Sequence, residues 1–211
     1  SNERILNHVG ITRAEHASTY SSVRFFNHEF DDPGALASVG TLPGAEVAAL
    51  TGGLFTQDIP ITLNKRIFEY DHLIMVTPVV PHEAMGFAGG NKYFFPGIAG
   101  VSVLETFHWL AAVITNPVVN GVKDTPTRRV IDRAAQMISV PRTCFAFAVN
   151  DAGKVACLYA RTPEEAWSRA ADCSAELHIR YLDGPRRRIL GVTPEIYEDV
   201  WVAGKAMYKL E

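Results

Sequence analysis

Cysteine is scarce in this chain of 211 residues. Only three are present, Cys144, Cys157 and Cys173. An odd number this small excludes a disulfide-rich scaffold, and none of the three forms the paired spacing of a zinc site. We therefore expect three small buried hydrophobic side chains in a protein of the reducing cytoplasm.

A dominant charge and a long apolar run are also missing. The 20 Lys and Arg residues nearly balance the 23 Asp and Glu residues, for a net charge of −3. Without a basic stripe, nucleic-acid binding is disfavoured. No run of about 18 apolar residues occurs, which excludes a conventional membrane span. The first residues do not have the pattern of a secretory signal, and nothing indicates an oligomeric state.

What is present is a large apolar content, 47% of residues, arranged in alternating strand-like and helix-like segments. Residues 73–80 read as a strand buried on both faces. Two further strands, over 144–149 and 155–159, flank a turn at 150–153. Strands that alternate with helices predict an α/β fold, a mostly parallel sheet with flanking helices in a Rossmann-like layered domain.

Helix starts are marked by three Thr-Pro pairs, which put an N-cap Thr before Pro in the first turn: Thr125-Pro126, Thr162-Pro163 and Thr193-Pro194. The nearly apolar segment 102–114 predicts a buried helix, and residues 63–70 predict a short one. A turn followed by three arginines near 183–188 predicts a hinge. We therefore divide the chain into a first domain over 1–182 and the start of a second over 183–211.

The segment most informative about function is 81–100, rich in glycine and aromatic residues. It follows a predicted strand and precedes a predicted helix, where α/β proteins bind ligands. Glycines there allow close approach of a ligand to backbone N–H groups, and Lys92 supplies a charge or an amine nucleophile. A Walker A phosphate-binding motif is excluded because Tyr93 follows Lys92 where the motif requires Ser or Thr. The residues alone leave a cofactor or anion loop and a structural glycine-rich turn both open.

A more specific pattern lies within this segment and the following helix. It consists of His82, Gly86-Phe87, Gly89-Gly90, Lys92, Pro96-Gly97 and His108. These residues resemble the signature of the nickel-dependent lactate racemase family, P-H-x-x-x-G-F-S-G-G-x-K, then P-G, then a helix with N-H. The spacings match as well, with Lys92 ten positions after His82 and His108 sixteen after Lys92.

The resemblance implies a nickel-pincer nucleotide, a modified pyridinium mononucleotide that binds nickel through carbon and sulfur. Lys92 would hold it through a thioamide, within a cofactor-binding loop that includes Gly86, Gly89 and Gly90. His108 would be the nickel ligand and His82 a general acid/base. The implied reaction is racemisation or epimerisation at C2 of a small 2-hydroxy acid by hydride transfer to the cofactor. We expect ordinary recombinant expression to give protein without the cofactor.

Some family features are absent from this sequence. The family's second catalytic His, with an Asp and an Arg, is expected upstream of residue 1, and His8 and His16 are not replacements because they fall in the following helical region. Lys205 matches a cofactor-facing Lys of the second domain, whereas Val202 stands at a family Gln position. We therefore expect a truncated middle portion of a racemase that does not racemise alone.

Other interpretations remain beside this one. The chain could be a non-catalytic nucleotide- or metal-binding module, or a phosphate-handling enzyme that uses Lys92 as a point charge. His82 could cap a turn, and His108 could be a core histidine with its hydrogen bonds satisfied. For His28 we favour a structural role, in which it fixes a turn by hydrogen bonding.

Overall fold

The computed structural model describes residues 2–114 and 118–180, which form a mixed α/β arrangement. The helices are α1 Asn2–His8, α2 Arg13–Ala17, α3 Gly44–Thr51, α4 Val101–Ile114, α5 Pro126–Ala135 and α6 Pro163–His178. The strands are β1 Leu36–Leu42, β2 Ile59–Asn64, β3 Leu73–Pro78, β4 Pro81–His82, β5 Gly86–Phe87, β6 Arg142–Val149 and β7 Val155–Arg161. Short 3₁₀ helices cover Pro33–Ala35, Lys65–Glu69 and Gly90–Tyr93.

The main sheet has three strands in the order β3-β6-β7. β3 is parallel to β6, with Met75 opposite Cys144, whereas β6 and β7 are antiparallel. The α/β class is confirmed, but the sheet in the described residues is mixed and not mostly parallel. The cause is the turn after β6, where the Asn150 side chain accepts hydrogen bonds from Ala152 and Lys154. A connection this short can join only antiparallel strands.

β3 is packed on one face and not on two. Met75 and Thr77 are buried, but Ile74 and Val76 are 69% and 62% exposed. Helix α6 packs against the sheet on the side of the buried residues. The prediction of a strand buried on both faces is therefore wrong for the described part of the chain, because an apolar run does not show whether a second layer covers it.

A second layer holds most of the remaining core. β1 and β2 form an antiparallel pair with a bulge between Ser38 and Gly40, and α4 packs on β2. The large side chains buried there include Leu42, Ile61, Leu63, Phe95 and Phe107. The helix predicted over 102–114 is confirmed as α4, but only one of its faces is buried, since Trp109 is 63% exposed.

Two of the predicted Thr-Pro helix starts are confirmed. The Thr125 hydroxyl accepts a hydrogen bond from the Arg128 N–H at 3.1 Å. The Thr162 hydroxyl accepts from the Glu165 N–H at 3.3 Å and donates to the Glu165 carboxylate at 3.1 Å. Such caps fix where a helix begins. The third pair, Thr193-Pro194, lies outside the described residues, as do the hinge and the second domain.

The segments before β3 differ in part from the sequence prediction. Residues 63–70, predicted as a short helix, are the end of β2 followed by a 3₁₀ helix. His28 bonds to the carbonyl oxygen of Ala99 at 2.9 Å and to the Asn64 amide at 3.0 Å. The predicted hydrogen-bonding role of His28 is confirmed, although it joins distant segments.

The cysteines are not three isolated thiols. Cys157 on β7 and Cys173 on α6 form a disulfide, while Cys144 is buried and free. The expectation of unpaired buried cysteines is therefore wrong for Cys157 and Cys173. Because disulfides persist in oxidising compartments, the pairing removes the cysteine-based support for a cytoplasmic location. None of the helices in the described residues is long and apolar enough to cross a membrane.

Candidate functional site

His82 ends β4 and faces Gly86 across a small antiparallel pair. The Ala84 N–H donates to His82 Nδ1 at 3.1 Å, so His82 does cap the intervening turn. Because Nδ1 accepts this bond, the neutral ring carries its proton on Nε2. The Glu83 carboxylate lies 3.5 Å from Nδ1, and His82 is half-buried.

The glycines that follow are required by close packing within the protein. Gly86, Gly89 and Gly90 have φ of 80°, 81° and 60°, values that side chains rarely tolerate. A Cβ at Gly86 would overlap the Val122 carbonyl oxygen, and one at Gly90 would lie 2.8 Å from Cβ of Trp167. These positions have a structural need for glycine before any ligand is considered.

Three backbone N–H groups of this segment, which the sequence left open as an anion or cofactor loop or a structural turn, are used within the protein. The Ala88 N–H donates to the Val80 carbonyl at 2.8 Å, and the Gly90 N–H to the Thr77 hydroxyl at 3.3 Å. The Lys92 N–H donates to the Gly89 carbonyl at 3.4 Å. Since these three donors are used inside the protein, they are not directed at a phosphate or carboxylate.

Residues 86–91, which we call the glycine loop, are hydrogen-bonded by side chains of α5 and α6. The Arg128 guanidinium donates to the carbonyls of Phe87 at 2.5 Å and Gly89 at 3.3 Å. The Trp167 indole donates to the carbonyl between them, that of Ala88, at 2.9 Å. Three successive carbonyl groups are therefore satisfied by side chains from two helices.

Arg128 is a buried charge, 3% exposed, with its guanidinium stacked 4.0 Å from the ring centroid of Trp167. Burial lowers its pKa to about 10, and the charge of Asp132 opposes that effect. Arg128 therefore remains cationic at neutral pH and donates charge-assisted hydrogen bonds to the glycine loop.

Asn91, 1% exposed, joins the glycine loop to two carboxylates. Its Nδ2 donates to Asp132 at 3.0 Å and to Glu164 at 2.8 Å. Burial raises the pKa of Asp132, while the Arg128 charge and the Asn91 hydrogen bond lower it. One amide thus bridges α5 and α6 immediately before Lys92, which is half-buried in the 3₁₀ helix Gly90–Tyr93.

His108 lies on the exposed side of α4. Its Nδ1 is 2.8 Å from the Leu104 carbonyl oxygen, which can only accept, so Nδ1 carries the proton and Nε2 keeps its lone pair in the neutral ring. Metal-ligating histidines usually have this arrangement. His108 is therefore not the satisfied core histidine of the alternative interpretation.

The structure brings His82, the three glycines and Lys92 into one loop assembly. α4 adjoins it through an edge-to-face contact of Phe107 with Phe95, whose ring centroids are 6.4 Å apart. Lys205 lies outside the described residues. Within 2–114 and 118–180, no three His, Cys, Asp or Glu side chains cluster closely enough to hold a metal ion. A metal on His108 would need other ligands.

Sequence reasoning missed the residues that hold the glycine loop, namely Asn91, Arg128, Asp132, Glu164 and Trp167. One signal was available. Arg128 and Asp132 are four residues apart on α5, beside the apolar stripe that includes Ile131. A charged pair at this spacing on a face that must be buried predicts a buried ion pair.

Comparison with known proteins connects this arrangement to a family. The profile of the lactate racemase N-terminal domain matches residues 7–119, just over half of the chain. A crystal structure of a Thermotoga maritima protein has 38% sequence identity and a TM-score of 0.83 over 99% of this chain. No curated protein matches.

The lactate racemase apoprotein of Thermoanaerobacterium thermosaccharolyticum has a similar fold, with 23% identity and a TM-score of 0.59 over 77% of this chain. This chain spans 51% of the Thermotoga protein and 37% of the racemase. The match to the domain profile, with the α/β fold it accompanies, shows that the chain belongs to the lactate racemase N-terminal domain family.

Proposed function

We propose that this domain serves the racemisation or epimerisation of a small 2-hydroxy acid at C2, with a nickel-pincer nucleotide as cofactor. The observation that carries the proposal is the hydrogen bond from His108 Nδ1 to Leu104. It leaves Nε2 as an exposed acceptor on a helix that packs next to the Lys92 segment. Imidazole nitrogen in this state is a suitable nickel ligand.

The residues present fit such a cofactor. His108 supplies a single imidazole, and the described residues contain no group of three or more His, Cys, Asp or Glu side chains that could hold a metal by themselves. A pincer nucleotide brings its own carbon and sulfur ligands, so one histidine is sufficient. Lys92 supplies a primary amine for the thioamide, at the end of a loop that the protein holds in place.

His82 has the chemistry for proton transfer. Its ring is half-buried, and the Ala84 N–H fixes its orientation through Nδ1. The neutral ring holds its proton on Nε2, and loss or gain of a proton by imidazole occurs near neutral pH. When bound, the cofactor would supply an acceptor for the α-hydrogen of the substrate as hydride, and the donor for its return. To take the hydroxyl proton at Nε2 as the hydride leaves, His82 would need its other tautomer, with the ring proton on Nδ1 facing the Glu83 carboxylate 3.5 Å away and no longer accepting from Ala84. It would give the hydroxyl proton back as the hydride returns.

A phosphate-handling role has less support. Phosphate sites of this kind use free backbone N–H groups at a glycine-rich turn. In this loop the Ala88, Gly90 and Lys92 N–H groups are already donors within the protein.

The test is to produce the chain together with the cofactor pathway and to measure its intact mass and nickel content. We expect a mass increase that corresponds to one nucleotide adduct, with one nickel per chain. Lys92→Ala should lose both the adduct and the nickel. Lys123→Ala is the matched control, because Lys123 is a surface lysine paired with Asp172 at 2.8 Å.

Two results would contradict the proposal. One is an adduct of unchanged yield on Lys92→Ala. The other is reversible nucleotide binding by the wild-type chain without adduct or nickel, which would instead support a non-catalytic binding module.

A further inference from the structure

Five consecutive residues before Lys92 are each hydrogen-bonded to a side chain of another element. The carbonyls of Phe87 and Gly89 accept from Arg128, and that of Ala88 accepts from Trp167. The Gly90 N–H donates to Thr77, and the Asn91 amide donates to Asp132 and Glu164. Because about two-thirds of the hydrogen bonds in a folded protein join backbone to backbone, five consecutive residues bonded to side chains are a concentrated set.

Asn91 is also held on its other side. Its carbonyl accepts hydrogen bonds from the N–H groups of Phe94 and Phe95, both at 3.0 Å. Lys92 is therefore enclosed within a turn whose first residue is fixed by α5 and α6. Asn91 thus links the chain directly before Lys92 to both helices, while the Lys92 backbone itself bonds to Gly89 and Gly97.

Stability alone is a poor explanation for this network. Burying a guanidinium and a carboxylate costs free energy, and apolar residues of similar size often serve stability as well or better. Within the described residues, Nε of Arg128 and Oδ1 of Asn91 are buried without any hydrogen-bond partner. Each of these buried groups without a partner lowers stability further, so the network is not explained by a gain in stability.

We propose that Asn91, anchored by Asp132 and Glu164 and supported by Arg128, positions the Lys92 amine for covalent attachment of the cofactor. This inference rests on the proposed function. Thioamide formation joins Nζ of Lys92 to a thiocarboxyl carbon and breaks the bond of that carbon to oxygen. The carbon keeps its sulfur, and the oxygen leaves as water with protons from the amine and the thiocarboxyl group. The rate of such a step depends on placement, and an error of about 1 Å can cost up to ~10²-fold.

Two variants test the positioning role, each with a matched control. Asn91→Ala removes the bridging amide without a change of charge, and its control is Leu42→Ala, a core change on β1 that also lowers stability. Glu164→Ala removes one of the two carboxylates that accept from the Asn91 amide. Because Glu164 is exposed on α6, this variant should fold. Its control is Glu176→Ala, another exposed glutamate on the same helix.

Two readouts are needed. The first is the fraction of chains that carry the adduct after a fixed time. For Asn91→Ala this fraction is compared with that of Leu42→Ala, whose stability is also lowered. The second is the pH profile of acetic anhydride labelling at Lys92 in cofactor-free protein, measured by peptide mass spectrometry. We expect Asn91→Ala to slow attachment roughly tenfold or more and to shift the labelling profile, with a smaller effect for Glu164→Ala. Both controls should match the wild type.

The outcomes separate this proposal from the proposed function. If the wild type carries no adduct but both network variants shift Lys92 labelling, positioning of the amine is supported and the proposed function fails. If the wild type carries the adduct and Asn91→Ala loses no more than Leu42→Ala, positioning is overturned. Unchanged labelling in both network variants also overturns it.

Discussion

Lys92 and His108 lie in very different surroundings. The five residues before Lys92 are held by side chains from β3, α5 and α6, through contacts that are buried or partly buried. His108 projects from the exposed side of α4, with one local hydrogen bond to Leu104. The residues before Lys92 are thus fixed by elements distant in sequence, whereas the His108 ring is oriented by one hydrogen bond within its own helix.

The difference corresponds to what each residue is proposed to do. A covalent tether fixes the cofactor once, so its attachment point must itself be rigid. A metal ligand needs an accessible lone pair on the correct nitrogen, and one hydrogen bond to Nδ1 is sufficient for that. We therefore expect changes around Lys92 to affect folding strongly, and changes at His108 to affect metal binding alone.

The largest effect is expected for Arg128→Met. It leaves the carbonyls of Phe87 and Gly89 without their donor and Asp132 without its cation. Removing one partner of a buried ionic network costs about 3–5 kcal/mol of unfolding free energy. Denaturant unfolding measures the loss, and amide hydrogen exchange over residues 86–93 should rise.

The control for Arg128→Met is Arg129→Met, the neighbouring residue with an exposed pair to Asp124. Its loss should stay within about 1 kcal/mol. Equal losses for the two variants would show that the glycine loop is not held by Arg128.

An intermediate effect is expected in the pH dependence of stability. Burial raises the pKa of Asp132 above its ordinary value of 3.8, despite Arg128 and Asn91, and Glu164 adds to the rise. The folded chain then binds this proton more tightly than the unfolded chain. Stability must fall as the pH rises from about 4 through the raised pKa.

Asp132→Asn removes this titration, so the fall contributed by Asp132 should disappear from a plot of unfolding free energy against pH. The slopes of the wild-type and Asp132→Asn plots are compared, because loss of the carboxylate beside Arg128 also changes the absolute unfolding free energy. An unchanged slope would mean that Asp132 is not perturbed by burial.

The smallest effect on stability is expected for His108→Ala. His108 is exposed and bonded only within its own helix, so the unfolding free energy should change by no more than about 0.5 kcal/mol. The nickel of cofactor-loaded protein should nevertheless lose one nitrogen ligand, while the carbon and sulfur ligands of the cofactor keep the metal bound. A large loss of stability would place His108 in the core and remove the contrast with Lys92.

Much of the local structure could be predicted from the sequence because the signals are local. The Thr125 and Thr162 helix starts depend on residues within one turn. The turn between β6 and β7 likewise depends on Asn150 and its neighbours. The family motif also gave the loop and α4 as the places to look for chemistry.

The glycine-loop network could not be predicted, since its partners are far apart in sequence. Asn91 meets Glu164 across 73 residues, and Trp167 meets Ala88 across 79. The glycines were interpreted as room for a ligand, but at Gly86 and Gly90 the protein itself fills that room. The exposed face of β3 was missed because hydrophobicity alone does not reveal which faces are covered.

The most direct test of the account is X-ray absorption at the nickel edge of the cofactor-loaded chain. If the fixed Lys92 region and the open His108 region serve one cofactor, the wild-type spectrum should show one imidazole nitrogen bound to nickel. That contribution should disappear in His108→Ala while the adduct on Lys92 remains. An unchanged nickel environment in His108→Ala would contradict the account.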